Sequence, residues 1–207
     1  MNRVELKENA KQQIKGKIGI LFAITLIMVL VTFGGSLVLS FIPFVGSVAS
    51  LIVITAPLTL GYIMVYLKVA NGQNVEIGDL FKGYQDLWCA FKTQFFVGLF
   101  TGLWSLLFVI PGIIKGISYS MAYYILAENP GMGALEAINR SKAMMEGHKM
   151  DYFVLTLSFY GWFLLSYITC GIVGIWAIPY MATTYANFYN KIKNTGNEVN
   201  YVTETIQ

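Results

Sequence analysis

The sequence is poor in charge and in histidine, and each shortage excludes a class of function. Only 12% of its 207 residues are charged, about half the share of a typical soluble domain. The single histidine has no cysteine or carboxylate at metal-binding spacing, which excludes the usual zinc sites. There is no Gly-rich phosphate loop and no nucleophile elbow. We therefore expect no enzymatic activity, no cofactor and no bound metal.

Cysteine is also scarce, since the chain has only Cys89 and Cys170. The hairpin arrangement described below places them near opposite ends of the helices, too far apart for a disulfide. We expect two free thiols that pack among apolar side chains.

Apolar residues are abundant and lie in long runs. They make up 56% of the chain, and the mean hydropathy is +0.61. A helix of about 20 residues crosses the roughly 30 Å of hydrocarbon in a bilayer, so five or six such helices use nearly the whole chain. The composition predicts an all-α polytopic membrane protein.

The apolar runs are paired around short turns, which predicts three helical hairpins in one six-helix transmembrane domain at residues 18–190. The hairpins are predicted at about 18–67, 93–126 and 152–189, with turns at 41–46, at Pro111-Gly112 and at 169–171. The first apolar run is longer than the core of a cleaved signal peptide, so we expect it to remain as a span.

Short sequence matches indicate that the hairpins are pseudo-repeats. Trp104-Ser105-Leu106-Leu107 corresponds to Trp162-Phe163-Leu164-Leu165, and Ser120-Met121-Ala122 corresponds to Tyr180-Met181-Ala182, at offsets of 58 and 60 residues. Repeats that enter from the same side are the parallel kind found in some transporters. The alternative is chance similarity among apolar segments.

The distribution of basic residues predicts the orientation. Thirteen of the fourteen Lys and Arg residues lie near the amino terminus, at the hairpin ends, in the linkers or in the polar tail at 191–207; Lys115 is the exception. Positive charge favours the cytoplasmic side. We therefore predict cytoplasmic termini and amphipathic cytoplasmic linkers.

The first 17 residues are predicted to form a basic amphipathic helix. Arg3, Lys7, Lys11 and Lys15 are spaced by four and share one helix face. Anionic headgroups would relieve the repulsion between them, so we interpret these four as membrane-surface residues. The alternative is a solvated arm that only sets the orientation.

Lys115 is a candidate ligand-binding residue because it is the only charge inside the central hairpin. An ammonium near hydrocarbon favours an anion, and the predicted helix start after Pro111-Gly112 favours negative charge as well. Ser118 and Tyr119 extend the same polar face. The alternative is that Lys115 reaches the outer headgroups and anchors the hairpin.

Two return arms carry polar stripes at helical spacing. Thr55, Thr59 and Tyr62 lie in the first hairpin, and Tyr180, Thr184 and Asn187 lie in the third. These stripes predict return arms that face one another around a narrow polar interior able to hold a ligand. Alternatively, the hydroxyls only form hydrogen bonds within a packed interface.

Motifs throughout the chain resemble one family. They are Arg3-Val4-Glu5-Leu6-Lys7, Trp104-Ser105-Leu106-Leu107, Pro111-Gly112-Ile113-Ile114-Lys115, Tyr119-Ser120-Met121-Ala122, Ala134-Leu135-Glu136-Ala137-Ile138, Gly147-His148-Lys149 and Thr183-Thr184-Tyr185-Ala186-Asn187-Phe188-Tyr189. Together they resemble the integral membrane family known as domain of unknown function 975. The resemblance implies a multi-pass protein of the bacterial plasma membrane and implies no activity. A more distant likeness to the membrane domain of some glycerophosphodiester phosphodiesterases implies lipid-related work.

These observations predict the non-enzymatic binding or translocation of a lipid or another amphipathic anion. Membrane lipids are the expected partners, and nucleic acid is not, because the basic face is directed to the membrane. The alternative is an accessory or structural protein that docks a membrane protein or a second copy through the linkers at 74–84 and 130–149.

Overall fold

The computed structural model describes residues 3–39, 50–169 and 173–206, and each regular element in those ranges is helical. The elements are α1 (Arg3–Ile14), α2 (Ile18–Leu39), a π-helical turn (Leu51–Thr55), α3 (Ala56–Ala70), a 3₁₀-helix (Ile77–Asp86), α4 (Leu87–Leu107), α5 (Val109–Tyr119), α6 (Ala122–Glu128), α7 (Ala134–Met144), α8 (Lys149–Leu157), α9 (Tyr160–Ile168) and α10 (Gly174–Ile206). The predicted all-α class is confirmed.

Within the described residues, three helical stretches are long and apolar enough to cross a membrane. They are Ile18–Val38, Ile52–Ala70 and Val109–Glu128. The first two form the first hairpin, and the third is the return arm of the central hairpin. The described residues thus contain three such stretches, whereas the sequence predicts six membrane spans.

The other three predicted arms are not continuous apolar spans, and each differs because of its own sequence or backbone. Helix α4 carries Lys92 and Gln94 in its first half. The first arm of the last hairpin is divided into α8 and α9 at Ser158, whose hydroxyl donates to the carbonyl of Leu155. Helix α10 continues past residue 190 to Ile206, where the sequence predicts only a polar tail.

The turn of the central hairpin lies three residues before its predicted position. Helices α4 and α5 are separated at Phe108, which has the extended angles φ −156° and ψ 140°. Pro111 instead lies in the first turn of α5, where its missing N–H breaks no helical hydrogen bond. The return arm is therefore longer than predicted.

The other predicted turns and one cysteine lie wholly or partly outside the described residues. The turn at 41–46 and Cys170 are outside them, while Thr169 ends the described part of the last turn. Cys89 is a free thiol, as predicted.

The return arms meet in the main core. Helix α3 packs against both α6 and α10, and the rings of Tyr124 and Tyr189 stack with centroids 5.3 Å apart. Helix α1 covers this core with Leu6, Ala10 and Ile14, all of them buried. The space between the return arms is thus filled by side chains.

The first arms of all three hairpins end in exposed apolar side chains. Leu106 is 86% exposed at the end of α4, and Tyr167 is 87% exposed at the end of α9. Phe33 and Val38 near the end of α2 are exposed as well. A bilayer is the solvent that suits such surfaces, because large exposed apolar patches are rare on soluble monomers.

The first linker packs against α3 through two glycines. A Cβ on Gly61 would overlap the Leu80 carbonyl oxygen and lie 2.7 Å from its carbonyl carbon, and a Cβ on Gly83 would lie 2.7 Å from the Gly61 nitrogen. The backbones of α3 and the 3₁₀-helix are therefore in direct contact, which only glycine permits.

A charged cluster also joins α3 to the 3₁₀-helix. Asp79 is 3% exposed and lies 2.7 Å from the Lys68 ammonium and 2.6 Å from that of Lys82. It also accepts a hydrogen bond from the Glu76 backbone N–H at 3.0 Å. Burial raises the pKa of Asp79, but these hydrogen bonds outweigh burial and lower the pKa to about 2.

Candidate functional site

Lys115 lies against an aromatic ring. Its ammonium is 4.9 Å from the centre of the Trp104 ring, on the neighbouring helix of the hairpin. The side chain is half-buried, about two turns from the hairpin end. A cation over an indole face is stabilised by the ring quadrupole, by about 0.5–1 kcal/mol at exposed sites and more when desolvated.

Ser118 and Tyr119 do not form an open lane with Lys115, because both are buried. The Ser118 hydroxyl donates to the Ile114 carbonyl at 2.8 Å, one turn earlier in the same helix. Tyr119 packs against Phe100 with ring centroids 6.2 Å apart.

The hydroxyls of the two predicted stripes bond mainly within their own chain segments. Thr55 donates to Ser50, Thr59 to Thr55, and Thr184 to Tyr180, in each case to a backbone carbonyl four or five residues earlier. Such bonds satisfy the threonine hydroxyls locally.

The other stripe residues are held by side chains. Tyr62 packs on Tyr66 with ring centroids 4.6 Å apart, and Asn187 donates to the Gln13 side chain of α1 at 2.8 Å. Tyr180 stacks on Trp176, with ring centroids 5.1 Å apart. The stripe residues are therefore engaged in packing contacts and hydrogen bonds with other side chains.

The four amino-terminal basic residues lie on α1 with different surroundings. The Lys7 ammonium is 4.7 Å from the centre of the Phe159 ring, and that of Lys11 is 5.9 Å from the centre of the Tyr180 ring. Arg3 is half-exposed, and Lys15 lies exposed just after the last residue of α1. Lys7 and Lys11 thus join α1 to the last hairpin.

A groove between α5 and α8 is the most apolar cavity described, with a volume of about 520 Å³. Its walls are Ile110, Ile113, Ile114 and Ile117 of α5, and Met150 and Phe153 of α8, with Gly147 and Lys149 at one end. Lys149 is the charged residue of this lining.

Part of this groove could be predicted from the sequence. The four isoleucines are spaced i, i+3, i+4 and i+7, which places them on one face of a helix. Their partner α8 lies more than 30 residues further along the chain, and nothing in its spacing identifies α5 as its neighbour. Sequence reasoning missed the groove because it depends on this tertiary contact.

A second cavity of about 510 Å³ is polar and its charges are already paired. Glu128 accepts hydrogen bonds from Tyr189 at 2.7 Å and Lys193 at 2.6 Å. Arg140 pairs with Glu136 at 2.9 Å. These bonds tie α6 to α10 and leave little uncompensated charge for a ligand.

No group of three or more histidine, cysteine or acidic side chains in the described ranges is placed to hold a metal ion. The single histidine, His148, lies 3.9 Å from Asp151 at the start of α8.

The fold defines the class as an all-helical protein with three stretches long and apolar enough to cross a membrane. The chain belongs to the family described as protein of unknown function (DUF975), which matches residues 1–118 and 106–196. No curated protein and no solved structure matches it. The predicted family resemblance is confirmed; the likeness to the phosphodiesterase membrane domain and the bacterial origin stay predictions.

Proposed function

We propose that this protein is a non-enzymatic integral membrane protein that binds an anionic phospholipid in the groove between α5 and α8. The observation that carries the proposal is the combination of a long apolar wall with a lysine at one end. That arrangement matches a lipid, which has an apolar chain joined to an anionic head.

The apolar wall suits an acyl chain. From Ile110 to Ile117 the α5 face runs seven residues, or about 10 Å at 1.5 Å per residue. Each CH₂ group that leaves water for an apolar surface gains about 0.8 kcal/mol. In a bilayer the chain is already in hydrocarbon, so the groove selects by shape and close packing.

The charged end suits a headgroup. Lys149 begins α8 and borders the groove beside Gly147. A basic residue at a membrane surface attracts anionic lipid by about 1 kcal/mol. Lys149 therefore supports an anionic lipid over a zwitterionic one.

We further propose six spans and cytoplasmic termini, and two lysine–tryptophan pairs support a membrane-spanning α4 within that topology. Lys92 lies 5.2 Å from the centre of the Trp88 ring, and Lys115 lies 4.9 Å from that of Trp104. The two tryptophans are 16 residues apart on α4, or about 24 Å. Tryptophan and lysine are enriched at both interfaces of a bilayer, so each pair suits one interface of a multi-pass protein in the plasma membrane.

The topology is tested with a reporter fused after Gln207. We expect activity of the reporter only in the cytoplasm, and an external reporter would contradict cytoplasmic termini. A cysteine introduced at Phe108 should react with an impermeant maleimide added from outside the cell, whereas Cys89 should not.

The lipid proposal is tested by native mass spectrometry of purified protein titrated with phosphatidylglycerol. Ile113→Trp fills the groove, and Ile175→Trp on the exposed face of α10 is the matched control. Lys149→Ala removes the headgroup contact, and Arg140→Ala, at an exposed residue already paired with Glu136, is its control. We expect Ile113→Trp to lose one bound lipid and Lys149→Ala to weaken binding about fivefold.

Three results would redirect the proposal. Equal lipid binding by Ile113→Trp and wild type would remove the groove as the site. Loss of lipid only in Lys115→Ala would assign the lipid site to Lys115, toward the outer end of the central hairpin. Absence of any retained lipid, together with a protein crosslinked to the linkers, would favour the accessory role. Translocation is a further step, tested by lipid flux in vesicles.

A further inference from the structure

Lys7 and Lys11 of helix α1 lie against aromatic side chains of the last hairpin. It lies along α10, to which it is joined by the Lys191–Glu5 ion pair at 2.8 Å and by the bond from Asn187 to Gln13. The rings beneath Lys7 and Lys11 belong to Phe159 and Tyr180, which contact each other with centroids 5.6 Å apart. The two ammonium groups therefore lie over one continuous aromatic cluster.

Neither ammonium is neutralised by a carboxylate. The ion pairs found among the described residues include neither Lys7 nor Lys11. Glu5, one of the two acidic residues of α1, is bonded to Lys191. Ring faces attract a cation but leave its charge in place.

The local environment disfavours the positive charge of Lys7. Burial lowers the pKa of Lys7, and repulsion from Lys11 and Arg3 lowers it further. Like charges one helical turn apart repel by a few tenths of a kcal/mol in water, and more where water is partly excluded. A bound anion would relieve this repulsion.

We infer that Arg3, Lys7 and Lys11 bind the phosphate group of an anionic phospholipid in the leaflet next to α1. The apolar surface beside the lysines identifies a lipid as the source of the phosphate, because Leu157 and Tyr160, which flank Phe159, are largely exposed. An acyl chain can cover these residues while its phosphate contacts the lysines. This inference rests on the proposed membrane location and does not depend on the groove between α5 and α8.

The test counts bound lipids. Full-length protein in an uncharged detergent is titrated with phosphatidylglycerol and, separately, with phosphatidylcholine, and native mass spectra are recorded. The double variant Lys7→Gln/Lys11→Gln removes the two charges but keeps polar side chains. Arg140→Gln is the matched control, because Arg140 is exposed on α7 and already paired with Glu136.

We expect phosphatidylglycerol binding to fall about fivefold for each lysine removed, with no change in Arg140→Gln. Lys7→Arg/Lys11→Arg should restore binding, which separates loss of charge from damage to folding. Equal phosphatidylglycerol affinity in the double glutamine variant and wild type would overturn the inference. Equal affinity of wild type for the two lipids would overturn it as well.

Two further measurements distinguish this lipid site from a free-phosphate site and from the groove between α5 and α8. Millimolar inorganic phosphate should not displace the lipid; complete displacement would assign the site to free phosphate and overturn the lipid assignment. Ile113→Trp should remove one lipid and leave the lysine-dependent one in place. The double glutamine variant should do the reverse, so that failure at one site is recognised independently of the other.

Discussion

The contact between α3 and the 3₁₀-helix leads to a sharp prediction for Gly61→Ala. A Cβ at this position overlaps the carbonyl oxygen of Leu80, a backbone atom that cannot rotate away. The two elements must separate, which also disturbs the buried Asp79 cluster beside them. Overpacking of a core costs about 1–3 kcal/mol. We expect about 3 kcal/mol here, because both partners are backbone.

Gly102→Ala is the matched control, since it changes a helical glycine of α4 whose Cβ would meet nothing within 4 Å. Alanine is favoured over glycine in a helix by up to about 1 kcal/mol. The same substitution should therefore destabilise the protein at position 61 and leave it unchanged or more stable at position 102.

The assay is unfolding in mixed micelles with increasing denaturing detergent, followed by circular dichroism. Gly83→Ala should cost about as much as Gly61→Ala, because a Cβ at Gly83 overlaps the Pro57 carbonyl oxygen across the same interface. The double variant should cost less than the sum of the two, because one separation relieves both clashes. Equal stability of Gly61→Ala and Gly102→Ala would refute the close approach of these backbones.

Three further outcomes are expected. Asp79 has a pKa lowered to about 2, so its contribution, roughly 2 kcal/mol, is present above its unfolded pKa near 4 and is lost as the pH falls toward 2; Asp79→Asn should remove this part of the acid dependence of unfolding. Lys115→Met should lower stability by about 1 kcal/mol without changing lipid counts in native mass spectra. Thr184→Val should change the unfolding midpoint little, because the hydroxyl bonds only to its own helix.

Long apolar runs were the most predictable part of the fold. Helix α2 is predicted from Ile18 to Ser40 and is observed from Ile18 to Leu39. Lys17 and the basic residues before it mark the start of the run, and a membrane-length stretch without charge marks its course. Where polar residues enter an arm, as Lys92 does in α4, apolar length alone no longer sets the boundaries.

The turn of the central hairpin shows why breaks are harder to predict. Proline and glycine are the strongest turn signals in a sequence, and they favoured Pro111-Gly112. Proline is equally suited to the first turn of a helix, which is the position it occupies in α5. The extended residue is Phe108, whose side chain carries no turn signal.

For the candidate site, the sequence identifies the charged residue, but the packing of the helices decides what surrounds it. Lys115 is recognisable in the sequence because it is an isolated charge, but its position over Trp104 depends on how α4 and α5 are paired. Ser118 looks available in a polar stripe and is buried, with its hydroxyl bonded to its own helix. A stripe of hydroxyls therefore identifies one face of a helix but does not show whether that face contacts water.

Ten of the fourteen Lys and Arg residues are stabilised in one of two ways. Five lie over aromatic rings, namely Lys7, Lys11, Lys92, Lys115 and Lys142. Five others lie within 4 Å of a carboxylate, namely Lys68, Lys82, Arg140, Lys191 and Lys193.

This division supports the proposed lipid contacts. A carboxylate cancels the charge of one partner, so Arg140, Lys191 and Lys193 exert little attraction on an anion at a distance. A ring face holds an ammonium in position and leaves its positive charge in place. Carboxylates beside Lys7 and Lys11 would have stabilised the fold and removed the attraction to anionic headgroups. Aromatic rings stabilise the same lysines and preserve that attraction.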